Sequence, residues 1–121
     1  MKIETMSPVS MGNVERAHSA MNAAYNTLAV DTTRDTIPEN VNLARGYLSE
    51  ARGELVPGAG HEGPCEAAVA ARAVLPRIEH ALQLLDALGA SRDPHHVAPL
   101  LDEIGIAMDH VEAALAAIGW D

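Results

Sequence analysis

Apolar residues recur along the chain at alternating steps of three and four, the spacing that places side chains on one face of an α-helix. A first helix is predicted from about Ser10 to Val30, and a second begins near Thr36. Thr36 and Glu39 have capping-box spacing, and Pro38 falls in the first turn, where proline is tolerated. The two apolar rows are Val14, Ala17, Met21, Ala24 and Leu28, then Val41, Ala44, Leu48, Ala51 and Leu55.

A third helix is predicted from Pro64 to Leu88, with Gly89 as its C-terminal stop. Asp93 and Pro94 predict the start of a fourth helix. Alternatively, that helix starts at Pro99, and residues 94–98 form a turn before it. The two rows are Ala67, Ala71, Val74, Ile78, Ala81, Leu85 and Leu88, then Val97, Leu101, Ile104, Met108, Val111, Leu115 and Ile118. In this register Pro76 and Pro99 face outward, so neither wedges into a core.

Unbroken alternation of three and four is typical of helices that pack side by side at shallow angles. The connections, roughly 31–36, 56–63 and 89–93, are short enough to join antiparallel neighbours. The sequence therefore predicts an all-α, antiparallel up-down-up-down four-helix bundle. Residues 1–121 form one domain, in which 1–9 are expected to be a flexible N-terminal segment.

The amino-acid composition limits the kinds of partner that the chain can bind. The 121 residues include 8 basic and 17 acidic side chains, giving a net charge of −9. Such a chain should not bind nucleic acid or an anionic membrane directly, whereas basic proteins remain suitable partners. The N-terminus lacks the apolar stretch of a signal peptide, and we expect a cytoplasmic protein. Cys65 is the only cysteine, which excludes an internal disulfide, and is expected to be an incidental thiol.

The predicted core argues against chemistry in the bundle interior. None of the apolar rows contains an acidic, basic, histidine or cysteine residue. Metal sites in bundles need inward-facing Glu and Glu-x-x-His groups on facing helices. Glu15 and His18 match that spacing once, but the register places them outside the core. We therefore predict no catalytic residue, no cofactor and no bound metal, and expect that the chain is not an enzyme.

The fourth helix carries a candidate partner surface. Seven-residue spacing aligns two polar rows on its outward side, His95, Asp102 and Asp109 beside His96, Glu103 and His110. Seven residues rise about 10 Å, so the members of one row cannot chelate one ion. Between Asp93 and Asp121 there is no Lys or Arg. This surface therefore favours a basic partner, with histidines that would respond to pH.

A second candidate surface is apolar. Ala68, Leu75 and Leu82 widen the face of the third helix, while Leu100, Ala107 and Ala114 widen that of the fourth. Neighbouring helices can absorb these rows, or they can form a homo-oligomer interface that includes Leu75, Leu82, Leu100, Ala107 and the terminal Trp120.

The preferred function is therefore a non-catalytic interaction or regulatory module that forms a homo-oligomer. A homodimer is expected, because two-fold dimers are the commonest assembly. Two alternatives stay open. One is an acidic inhibitor that mimics nucleic acid on a basic partner surface, and the other is a metal- or ligand-responsive bundle that uses the histidines of the fourth helix.

Overall fold

The computed structural model describes residues 11–30, 33–59 and 66–117. It contains the helices α1 (Met11–Val30), α2 (Ile37–Ala59), α3 (Glu66–Ser91) and α4 (Val97–Ala117). Each helix packs against the next, and α4 closes the bundle by packing against α1. The predicted all-α, up-down four-helix bundle is thus confirmed. The segment 1–9, Cys65 and Trp120 lie outside the described residues.

The core is formed by the predicted rows of the first three helices. Every member of the α1 and α2 rows is buried, and the α3 row is buried from Ala71 to Leu88. A fully buried Leu or Ile side chain contributes about 1.5–3 kcal/mol relative to an exposed one. Among the described residues, no polar or charged residue is buried. The interior is therefore held by packing alone, as the sequence predicts.

Helix α4 is rotated relative to its predicted register. The buried row is Val97, Leu100, Ile104, Ala107 and Val111, whereas Leu101, Met108 and Leu115 are only partly buried. Both rows alternate steps of three and four, because α4 has apolar residues at adjacent positions. In the structure, the row that contains the small residue Ala107 lies at the centre of the buried face of α4. The prediction that Leu101 and Met108 lie at the centre of the core is therefore wrong.

The turn between α3 and α4 also differs from its prediction. Helix α3 continues past Gly89 to Ser91, and Arg92 adopts a left-handed backbone with φ 55°. The Arg92 backbone N–H donates to the Leu88 carbonyl at 2.8 Å, which closes the helix end. Arg92 thus takes the terminating position that the sequence assigns to Gly89.

Asp93 then caps a short 3₁₀ turn, Pro94–His96, and α4 follows at Val97. A turn precedes α4, as the alternative prediction states, but α4 begins at Val97 rather than at Pro99. Pro99 lies in the first helical turn, where its missing N–H leaves no bond unmade. Pro76 and Pro99 are both exposed, as predicted. Within the described ranges, no helix combines the length and apolar character needed to cross a membrane.

Candidate functional site

Ion pairs cross each of the seams between neighbouring helices. Arg16 on α1 lies 3.2 Å from the Glu54 carboxylate on α2. Arg45 and Arg52 on α2 pair with Asp86 and Glu79 on α3, the second pair at 3.7 Å. Mostly exposed pairs of this kind contribute up to about 1 kcal/mol each, so they orient the helices more than they stabilise them.

Helix α4 takes part in its seams through carboxylates. Glu103 lies 3.4 Å from the Arg77 guanidinium and 3.3 Å from His80 Nδ1, both on α3. On the opposite side, His18 Nε2 of α1 lies 2.8 Å from Glu112 Oε2. The described part of α4 has no Lys or Arg of its own, so its remaining carboxylates find no cation on the same helix.

Glu103 does not belong to the candidate partner surface. Its side chain is only 12% exposed, because the rotation of α4 turns it toward α3. The prediction that Glu103 lies on the outward face is wrong. The same rotation explains the error, since the outward face was inferred from a row centred on Leu101.

His95 and His96 lie in the turn before α4, where they make local bonds. The Asp93 carboxylate accepts from the His95 backbone N–H at 3.0 Å and lies 2.9 Å from His95 Nδ1. These bonds, the backbone bond above all, hold the pKa of Asp93 below its usual value. His96 Nδ1 lies 2.7 Å from Ser91 Oγ. Both histidines are exposed, but they are engaged in the turn rather than presented in a row with α4.

Three predicted surface residues stay on the outward side of α4. Asp102, Asp109 and His110 are exposed and have no hydrogen bond or ion pair within the described part of the chain. Ile106, which is 40% exposed, lies between them. We call Asp102, Ile106, Asp109 and His110 the acidic face of α4. Its charge is uncompensated by any cation of the described residues.

The described residues give no ligand set for the metal-responsive alternative. No group of three or more His, Cys, Asp or Glu side chains there is arranged to hold a metal ion. His18 and Glu112 come together, but Glu15 is exposed and does not join them.

A groove runs between α1 and α4, beside the acidic face. It has a volume of about 240 Å³. Its lining, which we call the α1–α4 groove, is Asn22, Tyr25, Asn26, Gly105, Met108, Asp109 and Glu112. Tyr25 and Met108 also pack against the core. A Cβ atom at residue 105 would lie 3.9 Å from Tyr25 Cε2, so a side chain at this position would contact the Tyr25 ring.

A second groove, of about 280 Å³, lies between α1 and α2. Its lining is Arg16, Ser19, Ala20, Ala23, Tyr47, Glu50 and Glu54. Here Glu54 is bound by Arg16 and also accepts from the Asn13 side-chain amide at 2.7 Å. This groove therefore contains its own cation, in contrast to the α1–α4 groove.

The residues of the predicted oligomer interface do not share a surface. Leu100 and Ala107 are fully buried within the single chain, so their assignment to an interface is wrong. Leu75 and Leu82 are half-buried and share a helical row with Glu79 and Asp86, whose carboxylates bind arginines of α2. That row faces α2 rather than joining an α3–α4 surface. The apolar rows instead pack against neighbouring helices of the same chain.

Sequence reasoning missed the α1–α4 groove. Asn22, Tyr25 and Asn26 have the i, i+3, i+4 spacing of one helix face, and Gly105, Met108, Asp109 and Glu112 repeat it on α4. The two matching rows were a usable signal for a polar seam. The pairing of these two rows, however, depends on the rotation of α4.

No protein-family model, curated protein or solved structure matches this chain.

Proposed function

We propose that the chain is a non-catalytic protein-interaction module that presents the acidic face of α4 to a basic surface of its partner. The observation that supports this is the exposure of Asp102 and Asp109, neither of which forms an ion pair with a described residue. Arg16, Arg45 and Arg52, by contrast, each pair with a carboxylate across a seam between helices. An unpaired acidic face is the surface on which charge complementarity with another protein can act.

The overall charge strengthens the proposal. A net charge of −9 creates a negative field that attracts a basic partner before contact is made. A partner whose basic surface otherwise binds nucleic acid has the required chemistry, in which case the module would act as an acidic inhibitor. Association of this kind weakens as salt screens exposed charges, over a Debye length of about 8–10 Å at physiological ionic strength.

A homodimer is not part of this proposal. The predicted interface needed Leu100 and Ala107 on the surface, and both are buried in one chain. Among the residues whose exposure the structure describes, the exposed large hydrophobic residues are scattered over three helices, namely Leu43, Val56, Val69 and Ile106. Single exposed apolar residues are ordinary on monomeric proteins and indicate no interface by themselves.

The test is binding of a fluorescent lysine-rich peptide, measured by anisotropy over a salt series. The double variant Asp102→Asn/Asp109→Asn should weaken binding by about tenfold at low salt, as removal of two contacting charges would. The control is Glu15→Gln/Glu39→Gln, which removes the same net charge from exposed sites on α1 and α2. The control should weaken binding by less than about twofold, because these two charges do not contact the peptide in the proposed complex.

Equal weakening by the two double variants would contradict the proposal, since binding would then follow net charge rather than the acidic face. Absence of binding at low salt would contradict it as well.

A further inference from the structure

We propose that the α1–α4 groove is the socket for one arginine side chain of the basic partner. This inference rests on the proposed function and adds to it the residue type that the partner inserts. The groove borders the acidic face directly, because Asp109 belongs to both.

The volume of the groove suits a single side chain. Its volume of about 240 Å³ lies below the roughly 300–1,000 Å³ of sites for drug-sized ligands. From Gly105 to Glu112 the α4 side rises about 10 Å, at about 1.5 Å per residue, so an extended side chain can lie along it. A nucleotide or other large cofactor would not be enclosed.

The floor and rims of the groove differ in chemistry. Tyr25 and Met108, both packed against the core, supply an apolar floor, and Gly105 leaves it open. The amide side chains of Asn22 and Asn26 line the α1 side, while Asp109 and Glu112 line the α4 side. The methylene stem of a long cationic side chain suits such a floor, with its charged end at the rim.

Asp109 is the carboxylate at the rim whose charge is not paired with any described residue. Glu112 is already engaged by His18, with 2.8 Å between Nε2 and Oε2. Asp109 has no hydrogen bond or ion pair in the described ranges. Asp109 is therefore the rim carboxylate that a cation in the groove can bind without competing with a histidine.

The surrounding groups favour guanidinium over ammonium. A guanidinium is planar, stacks on aromatic rings and pairs with a carboxylate through two parallel N–H bonds. It carries five N–H donors, for which the Asn22 and Asn26 amide oxygens are further acceptors. A lysine ammonium is a strongly hydrated point charge that cannot use the Tyr25 ring and the carboxylate in the same way.

The α1–α2 groove serves as an internal comparison. It is also lined by a tyrosine, Tyr47, and by glutamates, but Arg16 already binds Glu54 at 3.2 Å. The bundle thus has one groove that holds its own guanidinium at a carboxylate and one groove whose carboxylate Asp109 has none.

The experiment compares two labelled peptides of equal charge, one with arginine and one with lysine at the basic positions, by anisotropy at low salt. We expect the arginine peptide to bind about fivefold to tenfold more tightly, because only guanidinium combines the bidentate and stacking contacts. Asp109→Asn should remove this preference. Asp102→Asn, with the same charge change outside the groove, should weaken both peptides equally and leave the preference intact.

A second pair of variants tests the groove without changing charge. Gly105→Leu should fill the floor and remove the arginine preference, whereas Gly46→Leu on the exposed side of α2 should not. Circular dichroism verifies that both variants remain helical. An arginine preference that survives both Asp109→Asn and Gly105→Leu would overturn the socket while leaving the acidic face in place. Failure of both peptides to bind would overturn the proposed function itself.

Discussion

The α2–α3 seam and the α1–α4 seam are built from similar helices but closed in different ways. Arg45 and Arg52 cross the first seam to carboxylates of α3, and Leu75 and Leu82 fill its flank. Among the described residues, the second seam has only the His18–Glu112 pair, and Gly105 stands opposite Tyr25. The first seam is therefore filled and charge-balanced, whereas the second leaves a groove and a free carboxylate. The seam at which the last helix closes against the first is therefore the more open of the two.

The rotation of α4 decides whether this comparison is correct, because another rotation would move Gly105 and Glu112 away from α1. Leu100→Ala should cost about 2–5 kcal/mol of unfolding free energy, as truncation of a buried leucine does. Leu101→Ala should cost less than about 2 kcal/mol, since Leu101 is only partly buried. Urea denaturation of both variants measures the difference. If Leu101→Ala were the costlier change, the seams would have been assigned to the wrong sides of α4.

The opposite side of α4 offers a weaker test. Glu103→Gln should cost about 1 kcal/mol, because it removes a charged acceptor shared by Arg77 and His80 at a largely covered site. Asp102→Asn, at the neighbouring exposed position, should change stability by less than about 0.5 kcal/mol. Equal small effects in urea denaturation would show that Glu103 faces solvent and that α4 is rotated away from α3.

Glycine substitutions compare the openness of the two seams directly. Gly105→Ala should stabilise the protein by about 0.5–1 kcal/mol, because alanine favours helix and its Cβ meets only Tyr25 Cε2, at 3.9 Å. Gly89→Ala should gain less, since Gly89 lies in the last turn of α3, where helix propensity counts for less, although its Cβ would make an ordinary contact with Val41 Cγ1 at 3.5 Å. Gly53→Ala, with nothing within 4 Å, is the control for propensity alone. Thermal unfolding of the three variants gives the order, and destabilisation by Gly105→Ala would show a closed α1–α4 seam.

The smallest expected effect concerns the 3₁₀ turn that Asp93 caps, directly before α4. The folded state holds the pKa of Asp93 below its usual 3.8, so Asp93 stabilises the protein above that value. This contribution is lost as the pH falls through the lowered folded pKa. Asp93→Asn keeps a capping side chain but cannot titrate, so its melting temperature should fall below that of the native chain near neutral pH. The two melting temperatures should converge at strongly acidic pH, and a constant difference would contradict the expectation.

The sequence was sufficient for the architecture because every helix carries at least one apolar row with alternating steps of three and four. Val14 to Leu28 on α1 and Val41 to Leu55 on α2 leave no competing register. Helix α4 offers two, since Leu100 and Leu101 are consecutive and each starts a row with alternating spacing. The choice between them is made by contact with α1 and α3, which no local pattern encodes.

The candidate site depended on that choice. Asp102, Asp109 and His110 stay outward in either register, and these are the predicted surface residues that remain on the acidic face. Glu103 faces outward in the predicted register, but in the observed rotation of α4 it lies in the seam with α3. The groove is a property of two helices together, so neither row alone predicts it.

An interior with no polar group among the described residues has a consequence for how the protein reaches one structure. A buried polar residue specifies register by penalising every arrangement that leaves it unbonded, as a single asparagine does in coiled coils. Here that penalty is missing, and discrimination against slid or swapped arrangements falls to side-chain volume, to tight connections such as Arg92–Asp93, and to charges at the seams. Redesigns that shorten or neutralise those features should therefore yield alternative packings, such as domain-swapped dimers, before they yield unfolded chains.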